Sequence, residues 1–425
     1  MHRKRHDILD VRDRSGSVKD LSVPDTTKRL NAREILADIQ KGLPDIELMK
    51  KYGLSAKGLL SVYDRLQRAG LLDPAQLTQD RIDSESARIE LNDVQTIAPV
   101  SVPFSMWTFK CGGWIFSSPA VSDKAIVFGS WDWNLYSVAR ETGQLNWKFR
   151  TGNVIRSSAL ISGRTAYIGS WDHHLYAIDV ETGTLKWKFK AGREIWCSPA
   201  IGEDRVIFLS SDGMIYALDI NNGRPAWRLR VDSPFFSWTE SAPTIIGSML
   251  MCGSHRGILY SADIRSGGIV WEFKASGPVN SSPTFFDGLI YFGADDGNLY
   301  ALDPISGTEK WRSSLKRAVA SRPAVADGTV FACSLDGSLH ALDAQTGAIQ
   351  WSFQRLRNLF SSPVVLDGRL YTGCTDHRIY ALDAKTGSVA WSFETGGQVF
   401  SSPRVWNNVL YVGSNDGNLY AIVLK

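Results

Sequence analysis

Eight tryptophans at a near-constant interval, four short strand-like runs in each interval, and tight-turn chemistry between the runs predict an all-β protein: an eight-bladed β-propeller. The tryptophans are Trp107, Trp147, Trp187, Trp227, Trp271, Trp311, Trp351 and Trp391. Neighbours lie 40 residues apart, except Trp227 and Trp271, which are 44 apart. The same reading has an N-terminal strand close the ring by completing the last blade, and a small trihelical, helix-turn-helix-like segment precede the propeller. The chain divides into a tail (1–30), a trihelical module (31–75), a linker (76–101) and the propeller (102–425).

The first 30 residues are polar, of mixed charge and without periodicity, which predicts a mobile tail. In the next segment Asn31 is placed to cap a helix over Ala32–Gln40, with Ile35, Leu36 and Ile39 on one face and Gly42 ending it. A second helix is expected from Asp45 through Tyr52. Gly53-Leu54-Ser55 then forms a turn with Ser55 as N-cap, and a third helix runs Ala56–Arg68. The run Leu48–Leu60 resembles a DNA-binding helix-turn-helix. In that reading Ser55, Lys57, Ser61 and Arg65 reach bases or phosphates, and nucleic acid is a partner of residues 45–70. The competing reading is a trihelical protein-interaction module. It gains weight from Gly58, a poor residue inside a recognition helix, and from the slight basic excess. Residues 76–101 read as a linker with a charged helical stretch over 79–90.

Within one repeat, the second, the predicted strands are Ser157–Ile161, Ala166–Ser170, Leu175–Asp179 and Leu185–Phe189. Each is rich in β-branched, aromatic or small residues and bounded by Gly, Asp or Asn. Gly169-Ser170-Trp171-Asp172 is a hairpin turn. Asp179-Val180-Glu181-Thr182-Gly183 is another, whose Asp bonds forward to backbone N–H groups and whose Gly takes the left-handed position. A Ser-Ser-Pro step, or its variant, recurs at Pro119, Ala159, Pro199, Pro243, Pro283, Pro323, Pro363 and Pro403, giving eight units. The last unit has three strands and then the chain stops, while Ser105–Phe109 with Trp107 is a fourth strand with no blade before it. Pairing the two removes an exposed sheet edge.

The run Ala-x-Asp-x-x-Thr-Gly-x-x-x-Trp, at Ala177–Trp187, Ala341–Trp351 and Ala381–Trp391, resembles the tryptophan-docking motif of pyrroloquinoline-quinone-type propellers. Blade one departs from it with Ala139 in the Asp position. The resemblance covers residues 105–425 and implies the fold. For function it implies less, because the same fold serves enzymes, lipoprotein scaffolds and sensor domains.

Composition bounds the setting. A formal charge of +3 over 425 residues points neither to nor away from nucleic acid. The five cysteines are scattered and never spaced as Cys-x-x-Cys, so neither a disulfide framework nor a zinc site is expected. The N-terminus lacks the apolar stretch of a signal peptide, and no run is long enough to span a membrane. These features set the expectation of a cytoplasmic protein with no membrane partner.

Candidate site residues emerge where the repeat is broken. The residue before each Ser-Ser-Pro step is Phe116, Arg156, Trp196, Glu240, Asn280, Ala320, Phe360 or Phe400, a set expected to ring the mouth of the channel. Its aromatic arc with a few polar groups suits a small ligand or a partner; the structural alternative is a plug for a wide channel. Tryptophan beyond the docking set concentrates on blades one to four, at Trp114, Trp131, Trp133, Trp171, Trp196 and Trp238, with Trp406 apart. Such clustering marks a partner surface unless the rings are buried between blades. The loop Arg230–Glu240, carrying Phe236 and Trp238, holds the extra four residues. Lys316, Arg317, Arg322, Arg355, Arg357 and Arg378 make blades six and seven basic, as a solvated face or a seat for an anionic partner. His173, His255 and His377 fall on blades too far apart to share a metal.

The preferred functional reading is therefore a non-catalytic scaffold that takes a protein or peptide, or a small ligand, on its Trp-rich face, with no cofactor. The resemblance raises one enzymatic alternative, a quinoprotein dehydrogenase or quinone sensor. There Glu240 and Asn280 stand for calcium ligands, Arg322 lies near the quinone and Trp196 stacks on it. Another alternative is a DNA-binding regulator with a propeller sensor. Against the dehydrogenase stand the lack of an adjacent Cys-Cys pair and the near-absence of loop insertions.

Overall fold

The computed structural model describes residues 7–12, 18–23, 32–41, 48, 51, 52, 62, 66, 104–231, 241–354 and 360–424. The chain forms two units, 1–97 and 98–425. In the first, Asp7–Arg12 pairs antiparallel with Val18–Val23, a hairpin inside the segment read from sequence as a tail. Ala32–Gln40 is a helix with Ile35 and Ile39 buried. Leu48, Val62 and Leu66 are also helical and buried. Asp38 accepts bonds from Lys51 Nζ at 2.6 Å and from the Tyr52 hydroxyl at 2.5 Å. The recognition residues Ser55, Lys57, Ser61 and Arg65 lie outside the described residues.

The second unit contains eight four-stranded antiparallel sheets. Blade two is typical, with strands Leu160–Ser162, Thr165–Gly169, His174–Asp179 and Leu185–Lys190. The inner strand is shorter than the sequence suggested because it begins only after the Ser-Ser-x step. There the first serine turns its hydroxyl into its own blade: Ser117 Oγ donates to Gly129 O and accepts from Gly129 N, both at 2.8 Å. The second serine serves the neighbouring blade. Ser118 N donates to Ser158 Oγ (2.8 Å), Ser158 N to Ser198 Oγ (3.2 Å) and Ser362 N to Ser402 Oγ (2.9 Å).

Blade eight is Arg404–Trp406, Val409–Gly413 and Asn418–Val423, completed by Phe104–Lys110, which pairs with Asn418–Val423. The seam closes with the contacts used elsewhere in the ring. Ser402 N donates to Ser118 Oγ at 3.0 Å, and Ser401 Oγ to Ser117 O at 3.1 Å. Trp107, Phe109, Tyr411 and Leu419 share one core with Ile126, Phe128 and Tyr136 of blade one.

The docking motif is an inter-blade joint. Asp179 Oδ1 accepts from the N–H groups of Glu181 and Thr182, each at 3.1 Å, and so shapes the turn. The turn offers its Val180 carbonyl to Trp147 Nε1 of the preceding blade at 2.8 Å. The indole lies on Gly183, where a Cβ would sit 2.7 Å from the ring and φ is +72°. No other residue satisfies both conditions. Trp107, Trp187, Trp271, Trp311 and Trp351 repeat the bond 33 residues ahead, and Trp227 37 ahead, across the insertion.

Candidate binding site at the channel mouth

The connection between blades drops from the outer strand of one sheet to the inner strand of the next, so the residue before the paired serines reaches the axis. Six of the eight predicted mouth residues line one cavity of about 800 Å³: Phe116, Arg156, Trp196, Ala320, Phe360 and Phe400. Their rings, with Trp131 and Trp171 from adjoining hairpins, form a continuous chain of contacts. Centroids are 5.2 Å apart for Phe360–Phe400, 4.7 Å for Phe400–Phe116 and 5.0 Å for Phe116–Trp131. They are 5.5 Å apart for Trp131–Trp171 and 4.2 Å for Trp171–Trp196. Trp114 joins from outside, 5.1 Å from Trp131, and is 49% exposed. The Arg156 guanidinium lies over both Phe116 (5.4 Å) and Trp196 (5.1 Å), which closes the arc with a cation.

The hairpins are held by structural bonds as well. Asp172 takes the Tyr176 hydroxyl at 2.6 Å and Gly152 N at 2.7 Å, pinning the connection from blade one; Asp132 does the same with Tyr136 and Gly112. The two indoles beside these aspartates, Trp131 Nε1 and Trp171 Nε1, are buried without an acceptor. Trp133 and His173 stand at φ +73°, where most other blades have glycine.

Not every predicted residue joins the arc. The Trp133 ring turns to Arg150, 5.0 Å away, and remains 40% exposed. Asn280 turns from the cavity to give its amide to Asp295 Oδ2 at 2.8 Å, leaving Oδ1 buried and unbonded. Phe236, Trp238 and Glu240 lie outside the described residues, as do Arg355 and Arg357. Arg322 leaves the surface patch to which its sequence neighbours assigned it and lines the channel instead, while Arg378 pairs with Glu394 at 2.7 Å. One lining residue escaped the sequence reading: Arg404, at a position where the other blades have Ala120, Leu160, Ala200, Thr244, Thr284, Ala324 and Val364. A charge in that otherwise uncharged column was the available signal.

Comparison with known proteins follows the geometry. A family of quinone-type repeats described as outer membrane protein assembly factor BamB matches residues 131–282. One described as the beta-propeller of a beta-alanine-activating enzyme matches residues 239–425. The crystal structure of BamB from Moraxella catarrhalis is 22% identical with a TM-score of 0.69, covering 76% of this chain and all of that one. The second unit is a pyrroloquinoline-quinone-like eight-bladed propeller. This propeller also resembles a europium-containing methanol dehydrogenase (14% identity, TM-score 0.67, 76% of this chain and 93% of that one). A quinohemoprotein alcohol dehydrogenase from Comamonas testosteroni is 15% identical, with a TM-score of 0.62, 76% of this chain and 77% of that one covered. At such identities the likeness is one of fold. No curated protein matches.

Glu240, a metal ligand in the quinoprotein reading, lies outside the described residues. Among them no group of three or more His, Cys, Asp or Glu side chains is gathered as a metal needs. Asn280 gives its amide to Asp295 while its Oδ1 stays unbonded, and Arg322 Nε donates to Thr284 Oγ1 at 3.1 Å. Among the described residues no helix is long and apolar enough to cross a membrane.

Proposed function

We propose that this propeller is a non-catalytic scaffold, acting in the cytoplasm, that docks a protein or peptide segment on the aromatic arc at its channel mouth. The observation that carries the reading is the unbroken run of rings from Phe360 round to Trp196, ending in exposed Trp114 and bridged by Arg156. Aromatic and arginine side chains on a rigid frame are the composition of binding hot spots. A family match described as an assembly factor is in keeping with a partner-binding role.

The test is parallel purification of the full chain and of Trp114→Ala, Phe116→Ala and Trp406→Ala variants from the native host. A stoichiometric partner kept by wild type and Trp406→Ala, and lost by the first two, supports the reading. A titration with pyrroloquinoline quinone and calcium, followed by tryptophan fluorescence, addresses the dehydrogenase alternative. Saturable quenching at low quinone concentration would replace the scaffold reading.

A further inference from the structure

Below the aromatic mouth the channel changes character. Its wall there is the ring of second serines, Ser118, Ser158, Ser198, Ser282, Ser362 and Ser402. Each hydroxyl oxygen accepts a backbone N–H from the adjacent blade, as in Ser118 N to Ser158 Oγ, Ala242 N to Ser282 Oγ and Arg322 N to Ser362 Oγ. None of these hydroxyls donates its own proton to another group among the described residues. The ring therefore presents O–H donors to the channel.

Two guanidiniums stand in the same wall, Arg322 from blade six and Arg404 from blade eight. Arg322 is fixed by a relay: its Nε donates to Thr284 Oγ1 at 3.1 Å, and that hydroxyl donates to Pro323 O at 2.7 Å. Its terminal amines are left for the cavity. The Arg404 guanidinium has no ion pair or hydrogen bond with any described residue. Water in the channel reaches both side chains, yet protein surrounds them. Burial holds each below the usual arginine range, and for Arg322 the positive charge of Arg404 adds to it. The lining among the described residues contains no Asp or Glu. Two like charges in one channel wall, beside hydroxyl donors and with no acid in the lining to balance them, are a matched arrangement for an anion.

We propose that the channel binds the oxyanion group of a small ligand, a phosphate or a carboxylate, between Arg322 and Arg404, with the serine hydroxyls completing its hydrogen bonds. The cavity of about 800 Å³ has room for an organic body behind the anionic group. This site does not depend on partner docking at the mouth, and its test uses neither partner nor quinone.

The experiment is calorimetric titration and thermal melting of the full-length protein in a zwitterionic buffer with low chloride. Inorganic phosphate is the probe in one arm and succinate in the other. The expected result is saturable binding of at least one probe, with a rise in Tm. Arg322→Gln and Arg404→Gln should each weaken it by roughly tenfold or more, and Arg404→Lys by less, since the charge stays while the fork is lost. Arg378→Gln, on the outer surface, should bind as wild type. Without a probe, Arg404→Gln should melt no lower than wild type, because it relieves like-charge repulsion. Binding of phosphate alone, or of succinate alone, names the group. No saturable binding by wild type in either arm would overturn the proposal, as would equal binding by the Arg322 and Arg404 variants. A drop in Tm of Arg404→Gln that probe-free and probe-saturated samples share would assign the arginine to packing instead.

Discussion

Ring closure by the strand Phe104–Lys110 makes Trp107 energetically equivalent to a docking tryptophan in mid-chain, and substitution measures this directly. The indole bonds to Arg140 O at 3.1 Å and covers Gly143, where a Cβ would come within 2.6 Å of the ring at φ +71°. Replacing a fully buried Trp by Ala costs about 3–5 kcal/mol. Trp107 is only part-buried, which puts Trp107→Ala near the lower end, about 3 kcal/mol, or roughly 4–5 °C in Tm for a propeller of this size. Trp147→Ala, on a ring only 9% exposed, should cost about 4 kcal/mol. Gly143→Ala adds left-handed strain of about 1–2 kcal/mol to the clash with the indole. In the Trp107→Ala background the clash is gone and only the strain remains, so the double variant should be less destabilised than the sum. The assay is thermal unfolding of the full chain followed by far-ultraviolet circular dichroism. Should Trp107→Ala melt with wild type while Trp147→Ala falls by several degrees, the terminal strand is no part of the cooperative ring.

Three further outcomes follow from the same geometry. Trp133→Gly relieves about 1–2 kcal/mol of left-handed strain but forfeits about 0.5–1 kcal/mol of contact with Arg150 and a similar glycine entropy. Its Tm should therefore stay near that of wild type, and a clear loss of stability would show that the Trp133 ring is a packing element. The turn carboxylates of Asp263, Asp303 and Asp343 are held below the usual range by hydrogen bonds from Ser266, from Ser306 N–H and from Thr346 respectively. With folded pKa values depressed, their contribution is present above about pH 4 and is lost as pH falls through the folded values. Melting curves between pH 6 and 2 should drop at the acid end, and a flat profile would remove these turns from the account. Burial pushes the thiols of Cys197 and Cys333 up to about 12, and all five cysteines are buried thiols outside any disulfide. Alkylation at pH 8 should spare the native protein and label all five in denaturant, as counted by mass spectrometry.

The propeller was legible in the sequence because its joints are chemical. A tryptophan meets the next blade only where a turn aspartate frees a carbonyl and a glycine leaves room for the ring, so the joint is written into spacing and residue type. The aromatic arc was legible for the converse reason: the residue before the paired serines bears none of the joint, and its identity is free to vary. Arg322 was grouped with Arg317 and Arg378 by nearness along the chain. A residue's depth in the channel depends instead on its register within the repeat, which puts Arg322 beside Arg404, more than eighty residues away in sequence. Trp133 was expected in the arc with Trp131. A turn residue at φ +73° sends its side chain away from its neighbour's, towards Arg150. The three-residue inner strand was overdrawn because serine hydroxyls take over backbone bonds that a strand would otherwise make, and alternation alone does not show that exchange.

The departures from the repeat share one property. At each, neighbouring blades demonstrate a less costly choice. Glycine occupies the turn position in five blades where blades one, two and seven hold Trp133, His173 and His377 at positive φ. Serine accepts the neighbouring N–H where blade six has Arg322, and small or apolar residues fill the column in which Arg404 stands. Trp131 and Trp171 bury indole N–H groups without acceptors where Leu335 and Thr375 occupy the equivalent turns. Backbone strain, uncompensated charge and an unbonded donor each cost of the order of 1–3 kcal/mol, and a repeat that holds the alternatives ready has no folding reason to keep them. The buried indoles and the channel arginines fall on one region, the mouth and upper channel between blades six and two, passing through the seam, while Trp133 turns outward to Arg150. The arc accounts for the indoles and the oxyanion site for the arginines, so one ligand-facing region explains departures that packing alone does not.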